Sequence, residues 1–248
     1  MPADEWSAAA YSRCRTICGA GRWKPLSLTL TGPSAIGGYS EKGLIWYIKS
    51  CNGEEKYMDV FQAINERRSI RRFKSDPVST DIIRTIIDAG IKAPSGKNRQ
   101  PWEFVVVTGD KRAEMVRVMR KGIEASKARN IGVGSAEYSA NVMEQAPVTI
   151  FIFNPNGTYP WERKSIERQI METVDIQSVG AAIQNMILAA QSLGLGSLWI
   201  CDVFSAYGEL CAWLKKDCQM VAALALGYVD ENPPMRPRKS IDEVTQWF

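Results

Sequence analysis

The chain has 248 residues, of which 45% are apolar and 23% charged, and its formal net charge is only +4. This composition is that of an ordinary globular protein able to bury a sizeable core, and so mild a charge argues against nucleic-acid binding. The absence of histidine excludes Ser-His-Asp and Cys-His nucleophile systems, so an enzyme built from this sequence would depend on a bound organic cofactor for its chemistry.

The first 57 residues form a segment of atypical composition. Between residues 6 and 49, six basic residues stand against one acid, and no period of 2 or 3.6 is sustained. We expect a poorly ordered extension, or a start placed upstream of Met58, in preference to a transit peptide, which two early acids oppose. A short strand is expected over residues 43–49.

The six cysteines include no Cys-x-x-Cys pair and do not resemble an iron–sulfur ligand set, so no metal site is expected. Free thiols are expected in place of disulfides, because the chain has no clear secretory signal. No apolar stretch reaches about 18 uninterrupted residues, and no membrane-spanning helix is therefore expected. Together these features lead us to expect a cytoplasmic protein.

From residue 58 onward the apolar pattern predicts one domain of helices and a few strands. Val60, Phe61 and Ile64 suit a short helix, and Ser79 or Thr80 can cap the next helix, whose apolar stripe follows helical spacing. Further helices are expected over 110–128, 136–145, 166–193 and 206–215, and strands over 104–107, 148–153, 197–201 and 221–228. The last twenty residues are expected to be extended.

The segment from residue 67 to 73 concentrates more cationic charge than any other part of the chain. Four arginines and Ser69 lie within six positions, and the planar guanidinium suits bidentate binding of phosphate or carboxylate. A solvated basic face or a nucleic-acid patch would have the same pattern. The small net charge favours a small anionic ligand over a polymer, and Arg72 could equally face solvent.

Residues 93–102 form a second informative segment. A proline near each end restricts a loop whose polar residues cannot all be buried, and Asn98 and Gln100 offer amide groups suited to the edge of a planar heterocycle. The alternative is a surface loop that joins a helix to a strand. Lys97 is expected either to be solvated or to meet an anionic substrate.

Taken together, these segments resemble the nitroreductase family of flavin enzymes. The resemblance is carried, in family order, by residues 66–73, 93–104, 175–185, 193–197, 226–228 and 236–239. It implies an α+β fold in which a mixed, mainly antiparallel sheet is flanked by helices, within a flavin-binding domain spanning residues 58–248. It also implies an intertwined homodimer with flavin mononucleotide (FMN) bound at the subunit interface.

The resemblance further implies which residues contact the flavin, with no catalytic side chain among them. Its phosphate and ribityl chain would be held by Arg67, Arg68, Ser69, Arg71 and Arg238. A loop from the second subunit would line the isoalloxazine ring with Pro94, Ser95, Gly96 and Asn98. The segment over the ring would bring a backbone N–H close to the reactive nitrogen N5, and it comprises Trp199, Ile200 and Cys201. Gln177 or Ser178 would add a polar contact.

The implied reaction is a ping-pong cycle in which NADH or NADPH delivers hydride and a nitroaromatic, quinone or related conjugated acceptor is then reduced. Residues 122–141 would form a lid that influences substrate choice. Two alternatives stay open, because family membership does not fix the reaction. One is a specialised member, such as a reductive dehalogenase or a metabolite-modifying dehydrogenase, and the other is a non-catalytic flavin-binding redox module. No nucleic-acid or membrane partner is expected.

Overall fold

The computed structural model describes residues 58–248 and, before them, four two-residue strands. These strands form two antiparallel ladders: β1 (Tyr39–Ser40) with β2 (Gly43–Leu44), and β3 (Ile48–Lys49) with β4 (Glu55–Lys56). The strand predicted over 43–49 therefore corresponds to two pieces in different ladders, with residues 45–47 outside the described part. The predicted disorder of residues 1–57 likewise concerns residues that are mostly outside it. The chain divides into two compact units, Met1–Trp46 and Tyr47–Phe248.

Residues 58–248 form seven helices and four strands. The helices are α1 (Val60–Glu66), α2 (Thr80–Ile91), α3 (Lys111–Ala128), α4 (Ala136–Gln145), α5 (Ile166–Ser192), α6 (Tyr207–Leu214) and α7 (Ile241–Val244). The strands are β5 (Glu103–Thr108), β6 (Val148–Asn154), β7 (Leu195–Ile200) and β8 (Gln219–Tyr228). Two 3₁₀ turns, Gly96–Asn98 and Asp202–Ala206, follow α2 and β7. The predicted mixture of helices and few strands is confirmed.

The strands form one sheet in the order β5-β6-β8-β7, and every neighbouring pair is antiparallel. The register between β6 and β8 shifts once, since Ile152 pairs with Ala222 whereas Phe153 pairs with Met220. Such a bulge adds one residue to a strand and increases its local twist. The expectation of a mainly antiparallel sheet flanked by helices is confirmed.

Helices cover both faces of the sheet, because side chains of a strand alternate between the faces. In the fully buried strand β6, Ile150 and Ile152 pack with α2 and α5 on one face. Phe151 and Phe153 belong to the core on the other face, which α3, α4 and α6 complete. The domain is therefore a three-layer structure with the sheet in the middle.

Local signals in the sequence explain where the long helices begin and end. The Ser79 hydroxyl accepts a hydrogen bond from the Ile82 N–H and caps α2, which decides between the two predicted caps. Ser165 caps α5 in the same way, and Gly194 follows that helix with a φ of +76°, a conformation that glycine adopts without strain. Within residues 58–248, no helix is both long enough and apolar enough to cross a membrane.

Candidate anion and ring-binding site

The arginine-rich segment is fixed along the edge of the sheet. The backbone N–H of Ile70 donates to the Ser197 carbonyl at 2.9 Å, and Ser69 forms an isolated parallel bridge with Ser197 of β7. Farther along, Phe73 bridges Val229 at the end of β8. The buried side chains of Ile70 and Phe73 anchor the segment in the core. The arginines around them are thereby held at defined places beside β7.

The charges of two further arginines reach Arg67 at this edge. Burial lowers the pKa of Arg67, and the positive charges of Arg238 and Arg68 lower it further. Arg68 is fixed by hydrogen bonds from Nη1 to the carbonyls of Asn65 (2.7 Å) and Arg67 (3.0 Å). Within residues 58–248, no carboxylate lies within 4.0 Å of these three guanidiniums. Repulsion among uncompensated cations is relieved by an anion, and phosphate accepts charge-assisted bonds from several arginines at once.

The other two arginines of the segment have partners of their own. The Glu231 carboxylate accepts hydrogen bonds from the backbone N–H groups of Arg71 (2.5 Å) and Arg72 (3.3 Å). Its second oxygen lies 3.7 Å from Nε of Arg72. The charge of Arg72 is therefore balanced by Glu231 and requires no bound anion. The Arg71 guanidinium donates to the Ser69 carbonyl at 3.1 Å. The role of Glu231 was not predicted from the sequence, and nothing in the neighbouring residues distinguishes it.

The loop after α2 has an unusual backbone. Lys97, Asn98 and Gln100 have positive φ angles of 53°, 54° and 49°. For residues other than glycine this left-handed conformation costs about 1–2 kcal/mol each, and asparagine tolerates it best. The loop is closed on itself, because the Ser95 hydroxyl accepts the Gln100 N–H at 3.0 Å and the Ser95 carbonyl accepts the Asn98 N–H at 2.9 Å. Pro94 and Asn98 are exposed.

The loop is also fastened to the middle of α5. The Gly96 N–H donates to the Ser178 hydroxyl at 3.3 Å, and this hydroxyl donates to the Val174 carbonyl at 2.9 Å. A Cβ on Gly96 would lie 2.5 Å from a methyl carbon of Val174, so only glycine fits this close approach. Arg99 binds the buried Asp175 with two hydrogen bonds of 3.0 Å. Of the two predicted ring contacts on α5, Ser178 is used to hold the loop, whereas Gln177 is exposed.

The Asp175 carboxylate was missed in the sequence, although a signal was present. It lies four residues before Val179 and eight before Ile183, on the apolar stripe of a predicted helix. A charged group on such a stripe is buried on folding and needs a partner.

The end of β7 provides the third part of the predicted site. Trp199 is 38% exposed, Ile200 is buried, and Cys201 is exposed at the start of the following 3₁₀ turn. The Trp199 indole packs 3.8 Å from the position that a Cβ on Gly180 would occupy. Gly180 lies two residues beyond Ser178, a rotation of about 200° around α5. The loop and Trp199 therefore lie on different flanks of α5 within one chain.

The predicted lid is packed against the same end of β7. The Ser126 hydroxyl donates to the Ser205 carbonyl at 2.7 Å. The hydroxyls of Ser135 and Ser139 both donate to one carboxylate oxygen of Asp202, at 2.7 and 2.5 Å. Of residues 122–141, only the connection around 129–135 is largely exposed. The ends of this segment are thus fixed to the turn that follows Cys201.

These features define an α+β protein with a positively charged site at the sheet edge and a fastened polar loop. The family model for the nitroreductase family matches residues 64–228. A protein of Methanothermobacter thermautotrophicus provisionally named NADH dehydrogenase/NAD(P)H nitroreductase is 29% identical over 190 residues, covering 75% of this chain and 85% of that protein. The chain therefore belongs to the nitroreductase family.

Solved structures give the same result. A provisionally assigned nitroreductase from Desulfovibrio desulfuricans, in complex with FMN, is 31% identical with a TM-score of 0.59, over 76% of this chain and 96% of that one. A BluB-like flavoprotein from Clostridium difficile 630 is 27% identical with a TM-score of 0.62, over 77% of this chain and 99% of that one. The resemblance noted in the sequence is confirmed.

Proposed function

We propose that this protein is an FMN-dependent oxidoreductase that takes hydride from NADH or NADPH and reduces nitroaromatic, quinone or related conjugated acceptors. The observation that carries the proposal is that the charges of Arg68 and Arg238 act on Arg67, while no carboxylate lies within 4.0 Å of the three guanidiniums in the described residues. A phosphate of nearly two negative charges fits this donor set. The family, and the relative solved with FMN, support the flavin as the phosphate's carrier.

Different residues of the site would bind different parts of the flavin. Arg67, Arg68 and Arg238 would hold the phosphate of the flavin. Ser69, which is exposed beside them, and Arg71 would contact its phosphate and ribityl chain. At the end of β7, the backbone of Trp199, Ile200 and Cys201 would face the ring. When bound, FMN would supply the two-electron chemistry by accepting hydride and passing electrons to the acceptor. The protein's part is binding, orientation and electrostatics, for which no histidine is needed.

The apolar surface of α5 supports a homodimer. Its inner side is buried against the sheet, yet Ile166 and Ile170 on its outer side are 72% and 57% exposed. Further large apolar side chains are exposed in α1 and in the C-terminal tail, namely Val60, Phe61, Ile64, Met235, Ile241, Val244, Trp247 and Phe248. Exposed apolar side chains in this number mark a surface that a partner normally covers, and we propose that a second copy of this chain covers them.

The position of the loop supports a site shared between two subunits. Within one chain, α5 stands between the loop of Pro94, Ser95, Gly96 and Asn98 and the strand end at Trp199. We propose that the loop of the second copy completes the ring-binding part of the site. The homodimer would then be required for flavin chemistry. We also propose a cytoplasmic location for the protein, as expected from the sequence.

The direct test is spectroscopic. The purified protein, reconstituted with FMN, should show bound-flavin absorbance that bleaches anaerobically with NADH or NADPH and returns on addition of a quinone or nitroaromatic compound. Initial rates should give the parallel double-reciprocal lines of a ping-pong mechanism. A protein that remains colourless after reconstitution would refute the proposal.

The likeness to a BluB-like flavoprotein favours a second candidate, a specialised member of the family. Such a protein would bind and reduce FMN but show negligible turnover in a panel of quinones and nitroaromatics, with activity towards a halogenated or saturated metabolite. Stable flavin binding without reduction by either nicotinamide would instead indicate a redox-sensing module.

A further inference from the structure

We infer that Arg99 and Asp175 are positioning residues, which hold the loop around Asn98 in the form that contacts the flavin ring. The inference rests on the proposed function, since it assumes that the loop contacts a flavin. Neither residue is itself among the predicted flavin contacts. The pair acts through the loop, whose exposed face would be presented to the second subunit.

The contacts of Asp175 make it the main fastening point of the loop. Its carboxylate is 1% exposed, and each oxygen accepts one hydrogen bond from the Arg99 fork at 3.0 Å. One of these oxygens also lies 3.4 Å from Nδ2 of Asn156, in the connection after β6. Bidentate pairing restricts the guanidinium in angle as well as distance. The backbone of Arg99 is thereby fixed to α5.

The backbone on both sides of Arg99 explains why such fixing is needed. Lys97, Asn98 and Gln100 are left-handed, so three of four consecutive residues adopt a conformation that an unrestrained chain would leave. Strained residues persist only where the surroundings determine them. Besides the hydrogen bonds within the loop, the fastening to α5 consists of the Arg99–Asp175 pair and one long bond from Gly96 to Ser178. Loss of the pair should let the loop relax and move Asn98.

The chain provides a matched control one turn earlier on α5. Glu172 is also buried, and it accepts hydrogen bonds from Lys164, from Nε of Arg168 at 3.3 Å and from the Thr158 N–H at 3.2 Å. It holds the segment 158–164 and does not touch the loop of Asn98. Replacing either acid with its amide removes one buried, paired carboxylate from the same helix. Only one of the two replacements releases the loop.

The test measures binding of FMN and of riboflavin, which has the ring without the phosphate. In Asp175→Asn, the Kd of both should rise by the same factor, about tenfold or more, and the visible circular dichroism of bound FMN should change. Arg99→Lys keeps the charge but lacks the fork, so it should have the same effect with less risk to folding. Glu172→Gln should lose comparable thermal stability while its Kd stays within about twofold of the wild type.

Three results would overturn the inference or its basis. If Asp175→Asn and Arg99→Lys bind FMN as tightly as Glu172→Gln does, the pair has no positioning role. If they weaken FMN but not riboflavin, the effect lies at the phosphate and the inference is wrong. If the wild-type protein binds neither flavin, the proposed function itself fails, and this inference fails with it.

Discussion

Replacing Arg67 with glutamine should weaken flavin binding without lowering the stability of the apoprotein. The guanidinium is partly buried beside Arg238 and Arg68, and burial together with these charges lowers its pKa. A lowered arginine pKa means that the folded apoprotein disfavours the charge, so Arg67→Gln should leave the melting temperature unchanged or raise it. In the complex, the same substitution removes a charge-assisted bond to phosphate, worth about 1.5–3 kcal/mol. This corresponds to a rise in Kd of roughly 10- to 150-fold.

The assay is fluorescence titration of FMN, with differential scanning fluorimetry of the apoprotein. Arg72→Gln is the matched control, because Arg72 is exposed and pairs with Glu231 outside the cluster. Its Kd should stay within about twofold of the wild type, in keeping with a surface pair. The salt dependence of FMN binding should also be weaker in Arg67→Gln. Unchanged affinity in this variant, or a loss of apoprotein stability, would refute the assignment of a phosphate site.

Three other predictions concern the packing of the domain. Gly96→Ala places a Cβ 2.5 Å from a methyl carbon of Val174 and should lower the free energy of unfolding in urea by about 1–3 kcal/mol. Gly132→Ala, with open space around it, should leave this free energy unchanged, and equal urea midpoints for the two variants would contradict the close approach. Burial opposes ionisation of Glu172, but the hydrogen bonds from Lys164 and from the Thr158 backbone outweigh it and lower the pKa of this carboxyl. The carboxylate therefore stabilises the fold above its unfolded pKa of about 4.3. That contribution is lost as the pH falls through the folded pKa. Glu172→Gln should flatten the acid side of the Tm–pH curve, and an unchanged curve would count against the buried pair. Ile170→Glu, on the exposed side of α5, should give monomers in light scattering; a persistent dimer would place the interface elsewhere.

Sequence patterns were sufficient for the elements whose burial is regular. The run of β6 is apolar at nearly every position, and the stripe of α5 repeats at helical spacing up to Gly194, so both could be predicted within a few residues. The arginine cluster was visible as a local concentration of charge. Local patterns determine these features because the residues involved are neighbours in the chain.

Long-range pairings could not be predicted in the same way. Arg238 was assigned beside Arg67 only through the family resemblance, and Glu231 had no local signal. Arg99 and Asp175 are 76 positions apart in the chain. Their pairing depends on how α2 and α5 pack, which periodicity does not specify. The left-handed backbone at Lys97 could not be predicted from the sequence either, since lysine does not favour that conformation.

The arrangement around α5 links stability to function. The same helix buries its inner side against the sheet and carries two buried carboxylates that hold two different loops. Its exposed Ile166 and Ile170 lie where we propose that a second copy packs. Because the Asn98 loop and Trp199 lie on different flanks of it, a monomer would have a phosphate-binding edge without a complete ring-binding site. Binding of the flavin ring should then favour the dimer, and dimerisation should favour flavin binding, since the two equilibria share the same contacts. Under this arrangement, mutations that weaken either one are expected to weaken the other.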